Sequence, residues 1–138
     1  MIDEQKIGQC ILAIDYGEKR LGLAKKVAGE SEVLTLDILD NNEMLWAELK
    51  RIMDDLGPST VVVGLPRGLD GQQTAQSQTV RDFVDDFSKH FDCGVVLQDE
   101  TLSSEEAAAR LPKKAPIKDR RKLLDSIAAQ IILEDYLT

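Results

Sequence analysis

Residues 10–15 (CILAID) form an apolar run ending in Asp15-Tyr16-Gly17, which reads as a strand leaving a sheet at a turn. Leu21, Leu23 and Val27 predict a second strand starting near Arg20, and Val33-Leu34-Thr35-Leu36 a third reaching towards Leu39. Short spacing favours antiparallel hairpins among the three. The period then changes. Leu45, Leu49, Ile52, Met53 and Leu56 repeat as one helix face, opened by Asn41 or Asn42 and closed by Gly57-Pro58. Residues 60–64 (TVVVG) are β-branched and apolar, as a strand buried on both faces requires. After a polar loop, Val80, Phe83, Val84, Phe87 and Phe91 define a second helix, and residues 95–97 (VVL) a short strand stopping at Asp99-Glu100. Ser103 or Ser104 can cap a third helix, with Glu105 and Glu106 in its first turn. Pro112 and Pro116 break the chain before a last helix with Leu124, Ile127, Ala128 and Ile131 on its inner face.

The predicted order is β-β-β-α-β-α-β-α-α. Three hairpin-linked strands followed by alternating helices and strands imply a mixed five-stranded sheet with helices on both faces. The right-handed crossover rule restricts how the two later strands return to it. This is the α/β topology of the ribonuclease-H-like fold. No repeat or linker divides the 138 residues, so one domain over residues 1–138 is expected.

Charge changes the picture. Seventeen Lys and Arg against twenty-five Asp and Glu give −8, a poor overall match for a polyanion. Residues 110–122 (RLPKKAPIKDRRK) nevertheless hold seven of those bases and a single acid, a local +6 against −14 for the rest. A strip of this kind suits contacts to backbone phosphates, although a solvated loop and helix start explain it equally well. No uncharged stretch approaches the roughly twenty residues of a membrane helix. The N-terminus lacks the apolar run of a secretory signal. Cys10 and Cys93 match no paired spacing and read as reduced, buried thiols of a cytoplasmic protein.

The acids carry the candidate chemistry. Asp15 ends the first strand, Glu100 ends the last, and Asp125 sits among apolar residues of the final helix. If the first and fourth strands are neighbours and the last helix crosses their ends, the three converge. Converging carboxylates repel unless a cation is present, and oxygen-only ligands favour Mg²⁺ or Mn²⁺. Two such ions can serve the attacking and leaving oxygens of a phosphodiester. Each acid also has an ordinary reading. Asp15 can cap a turn, Asp99 can be the ligand in place of Glu100, and Asp125 can pair with Arg121 one turn earlier.

Other chemistries are weaker. His90 is the single histidine, at the end of an amphipathic helix, which argues against a Ser-His-Asp triad or a histidine-rich zinc site. Gly64, Gly68 and Gly71 are not followed by the Lys-Ser/Thr of a P-loop. Six aromatics, three of them in the Phe83-Phe87-Phe91 stripe, leave few platforms for stacking bases.

Four stretches together resemble the YqgF family, described as Holliday-junction resolvases and as pre-16S ribosomal RNA nucleases. They are AIDYGEKRLGLA (13–24), VVVGLPRGLDG (61–71), DETLSSEEA (99–107) and DSIAAQIILEDYL (125–137), the last preceded by KDRRK. The resemblance implies that Asp15, Glu100 and Asp125 are the metal-binding catalytic acids, which selects Glu100 over Asp99. Lys19, Arg20 and Arg81 fall where the family places bases, and Arg67 lies in the second stretch. With Lys118, Arg120 and Arg121 of the basic strip these are the candidate nucleic-acid contacts. Thr101 stands where the family usually has Arg, which removes a bidentate phosphate contact.

The leading expectation is a Mg²⁺- or Mn²⁺-dependent nuclease acting on structured nucleic acid, ribosomal RNA precursor before branched DNA, as a monomer or homodimer. A non-catalytic RNA-binding assembly factor is the main competitor. An actin-like kinase comes last, because such proteins bind nucleotide between two domains of this fold.

Overall fold

The computed structural model describes residues 10–66, 74–100 and 104–138. Arg67, Gly68, Gly71, Thr101 and Ser103 therefore lie outside the described residues. The elements are β1 (Cys10–Tyr16), β2 (Arg20–Val27), β3 (Leu34–Thr35), β4 (Leu39–Asp40), α1 (Leu45–Leu56), β5 (Thr60–Pro66), α2 (Ala75–His90), β6 (Gly94–Glu100), α3 (Ser104–Ala109) and α4 (Ile117–Leu137). The strands form one mixed sheet in the order β3-β2-β1-β5-β6, with β4 also paired to β2. β1 and β2 are antiparallel, whereas β5 runs parallel to β1 and β6 parallel to β5.

The predicted third strand is two short ones. β3 and β4 pair with opposite ends of β2, at Ala24↔Thr35 and Leu21↔Leu39, so the segment between them leaves the sheet and returns. Asn41 and Asn42 also act differently from the expected caps. Asn42 Oδ1 accepts from the Met44 N–H at 2.9 Å in the turn before α1. Asn41 braces the β1–β2 turn, donating its side chain to the Gly17 carbonyl and its main-chain N–H to the Lys19 carbonyl, each at 2.9 Å. Gly57 closes α1 at φ 54°, a left-handed conformation that glycine adopts without a Cβ clash.

Side-chain alternation divides the sheet into two unlike faces. Leu12, Ile14, Leu21, Leu23, Val61, Val63 and Leu65 point to one side and pack with Leu45, Leu49 and Met53 of α1 and Val80, Phe83 and Phe87 of α2. Ala13, Ala24 and Val62 point to the other and pack with Ala129, Ile132 and Leu133 of α4. Small residues on that face let α4 lie close to the strands. Its buried set is Ile127, Ala129, Ile131, Ile132 and Leu133, so Leu124 and Ala128 of the predicted inner face sit at its margin. The stripe is broad because Ile127 and Ile131 also cover Ala107 of α3. Cys10 is buried and Cys93 half-buried, both as free thiols. Among the described residues no helix is long and apolar enough to cross a membrane.

Candidate active site

The alternation that separates the cores also sorts the acids. Asp15 lies two residues after Ala13 and so faces α4, paired across the ladder with Gly22. Glu100 alternates with Asp99, Leu97 and Val95; the latter two pack against the α1–α2 core, which leaves Glu100 facing α4. Asp99 falls on the opposite side. Parity thus separates two acids that are adjacent in the sequence.

Two glycines set where α4 touches the sheet. A β-carbon at Gly22 would meet the Asp125 carbonyl oxygen, and one at Gly64 would meet Ile132 Cδ1, with Glu100 Cγ at 3.6 Å. α4 therefore crosses the strands, with Asp125 over β2 and Ile132 over β5. Asp15 on β1, Glu100 at the end of β6 and Asp125 on α4 over β2 thus lie on one side of the sheet. Among the described residues no three His, Cys, Asp or Glu side chains stand close enough to share a metal ion.

Electrostatics still couples them. Asp15 is pushed up from 3.8 to about 6, first by burial and then by the charge of Asp125. Glu100 is pushed up from 4.5 to about 8. Burial is the main cause, followed by a hydrogen bond that its protonated form donates to Asp135, then by the charges of Asp135, Glu106 and Asp15. Glu100 is only 7% exposed, and its Oε1 is buried with no hydrogen-bond partner among the described residues. A buried carboxylate oxygen without a donor fits a cation better than solvent. With only oxygen donors in reach, the fitting ion is hard and divalent.

Asp125 has a different partner. Arg20, the first residue of β2, donates from Nε to Asp125 Oδ2 at 2.9 Å. The expected alternative for this acid was Arg121 on its own helix; the partner found is a strand residue 105 positions away. Arg20 is thus engaged with a carboxylate through Nε. Asp135, which touches the buried Glu100, was not singled out from the sequence. Its signal was available, since Asp135 follows Ile131 and Ile132 at helical spacing and marks the end of α4 nearest β6.

The remaining bases are scattered. Lys19 is exposed at the tip of the β1–β2 turn. Lys118 and Arg121 are exposed on α4 and, at seven and four residues before Asp125, share its stripe. Arg120 lies off that stripe, with Nε donating to the Ala115 carbonyl at 3.4 Å. Arg110, at the start of the strip, is held by Glu134 at 2.7 Å. Arg81 is half-buried on α2, across the sheet from α4, and its Nε has no partner among the described residues. His90 is exposed and stacks on Trp46 with ring centroids 4.0 Å apart, remote from the acids in role. A cleft of about 290 Å³ opens between the end of β1 and the start of α2, lined by Tyr16, Gly17, Glu18, Gln76 and Thr79 among others. It lies on the far side of β1 from the Asp15 carboxylate. A larger surface hollow is walled by α1 alone.

Comparison with known proteins adds three findings. The profile of the family described as "RuvX: Holliday junction resolvase" matches residues 9–138. A protein of Methylobacillus flagellatus named "Putative pre-16S rRNA nuclease" is 36% identical over 92% of this chain and 89% of its own. A relative of the same name from Chloroflexus aurantiacus is 37% identical over 94% and 86%. Among solved structures, Thermus thermophilus RuvC superposes with a TM-score of 0.53 at 17% identity, covering 93% of this chain and 95% of its own. The fowlpox virus Holliday junction resolvase gives 0.54 at 18%, covering 93% and 97%. At those identities the structural likeness speaks for the ribonuclease-H-like fold alone.

Proposed function

The chain belongs to the RuvX family, also described as YqgF, and on that premise we propose that it is a metal-dependent nuclease for structured nucleic acid. Its substrate is the precursor of 16S ribosomal RNA, cut in maturation of the 5′ end, and its place of action the cytoplasm. Residues 1–138 act as a single nuclease domain. The names of the relatives support the RNA substrate.

One observation carries the reading: Asp15 and Glu100 emerge on the sheet face covered by α4, and the α4 stripe that bears Asp125 continues into Lys118 and Arg121. Asp15, Glu100 and Asp125 are the residues that would hold Mg²⁺ or Mn²⁺, divided between two ions rather than all three on one. Such an ion supplies a water activated at neutral pH and stabilisation of the charged phosphodiester. The chain's own contributions are distinct. Glu100 offers a desolvated oxygen without competing donors, Asp15 feels the charge of Asp125 and adds its own to Glu100, and Lys118 and Arg121 hold the backbone beside them. Lys19, Arg67 and Arg120 extend the contact surface. Arg81, on the opposite face of the sheet, contributes only if the substrate reaches around the sheet edge.

Incubation with a pre-16S rRNA fragment and with a four-way DNA junction, each with and without Mn²⁺, tests this reading. Mn²⁺-dependent cleavage of the RNA, lost in Asp15→Asn, is the expected result. Undiminished cleavage by Asp15→Asn overturns it. Symmetric cutting of the junction by a two-fold dimer would mark a resolvase instead. RNA affinity without Mn²⁺ binding would mark an assembly factor.

A further inference from the structure

Arg20 is bound to the one candidate ligand that does not wait for a cation. Its Nε lies 2.9 Å from Asp125 Oδ2, and both side chains are about three-quarters buried. Register explains the meeting. Arg20 is two residues before Gly22 on β2, so both face α4, and Gly22 is where the Asp125 main chain rests on the sheet. Gly22 in turn pairs with Asp15, which puts the Arg20 guanidinium at the edge of the acidic row. The turn that presents Arg20 is held from both sides, by Gly17 N–H donating to the Arg20 carbonyl at 3.0 Å and by Asn41. Arg20 is therefore placed by the scaffold.

A guanidinium fork suits a carboxylate and a phosphate alike, and because Nε is given to Asp125, a bidentate grip on a phosphate through the Nε edge requires that bond to open. Beside Asp125 it also neutralises the charge that would attract a divalent ion. We infer that Arg20 is a phosphate-responsive positioning residue, which holds Asp125 until a backbone phosphate of the substrate takes its guanidinium and releases Asp125 Oδ2 to the metal. Metal loading and substrate binding then reinforce one another, as linkage requires of any pair of coupled sites. This rests on the nuclease reading and adds to it the order in which the site assembles.

The test counts free Mn²⁺ by electron paramagnetic resonance, a readout independent of cleavage. Without nucleic acid, Arg20→Gln is expected to bind Mn²⁺ about three- to ten-fold more tightly than the parent, since a competing cation is gone. A short RNA duplex, after correction for the Mn²⁺ it holds alone, should tighten Mn²⁺ binding to the parent by a similar factor. It should have little effect on Arg20→Gln, and none in Asp125→Asn. Equal Mn²⁺ affinity in the parent and a folded Arg20→Gln, with Asp15→Asn still weakening it, overturns the inference and leaves the nuclease reading intact. Tightening by RNA that persists in Asp125→Asn also overturns it. If Arg20→Gln does not fold, the RNA effect on the parent decides alone, and its absence counts against the inference. A parent that binds no Mn²⁺ under any condition overturns both.

Discussion

Asp125 and Gly22 meet through their main chains: a β-carbon at Gly22 would collide with the Asp125 carbonyl oxygen. The absence of a side chain on β2 is therefore what lets α4 seat Asp125 beside the strand pair that carries Asp15. Gly22→Ala forces the helix away from the sheet. It should destabilise the protein by about 1–3 kcal/mol, the usual range for overpacking, and depress cleavage further than that loss explains. Thermal melts and initial rates measured together check this; an unchanged melting temperature would refute the contact.

On the proposed reading, protons and metal compete for the same acids. Asp15 rises from 3.8 to about 6 and Glu100 from 4.5 to about 8 on folding. The folded state thus holds more protons than the unfolded state between about pH 4 and pH 8. Stability of the metal-free protein must fall as pH rises through that window. The gain in melting temperature on adding Mn²⁺ should grow over the same interval, because the ion replaces the departing protons. A gain independent of pH would place the ion elsewhere.

Glu100 should show opposite effects on stability and activity. Glu100→Gln removes the ionisable group from a site without a donor for Oε1, so at pH 8 the metal-free variant is expected to be more stable by about 1–3 kcal/mol. Metal-dependent cleavage is expected to disappear. Denaturant titration beside a cleavage assay tests the pair of outcomes, and a destabilised variant would mean that Glu100 serves the fold.

Salt dependence distinguishes the bases on the Asp125 stripe from those off it. Lys118→Ala and Arg121→Ala should each lower the slope of log affinity against log salt by about 0.7–0.9, one phosphate contact each. Arg120→Ala, whose Nε is turned to the Ala115 carbonyl, should lower it less. Equal slopes for all three would mean that the strip acts as a diffuse charge.

Local patterns carried much of this into the sequence. β-Branched runs marked β5, the turn at Asp15-Tyr16-Gly17 marked the end of β1, and Gly57 marked the end of α1. The apolar stretch Val95-Val96-Leu97 hid which side of β6 is which, so Asp99 and Glu100 became distinguishable only once α4 covered one face. Arg20 and Asp125 are joined by tertiary packing alone, and no spacing rule reaches across 105 residues. The α2 cap was legible but overlooked: Thr74 and Ser77 form a reciprocal capping box in the T-x-x-S pattern. The split of the third strand had no local signal, because Leu36 and Leu39 fit a continuous strand as well as two short ones.

α4 is a single uninterrupted helix of 21 residues, roughly 30 Å long, exposed and basic over its first turns and buried from Ile127 to Leu133. Lys118 and Arg121 stand about 10 and 6 Å along its axis from Asp125. On the proposed reading the helix is a ruler: the distance from the grip of Lys118 and Arg121 on the backbone to the acids is fixed in helical turns, within a nucleotide or two. Where the strand is cut relative to where it is held becomes a property of rigid secondary structure, and adding or removing one turn there would move the cut.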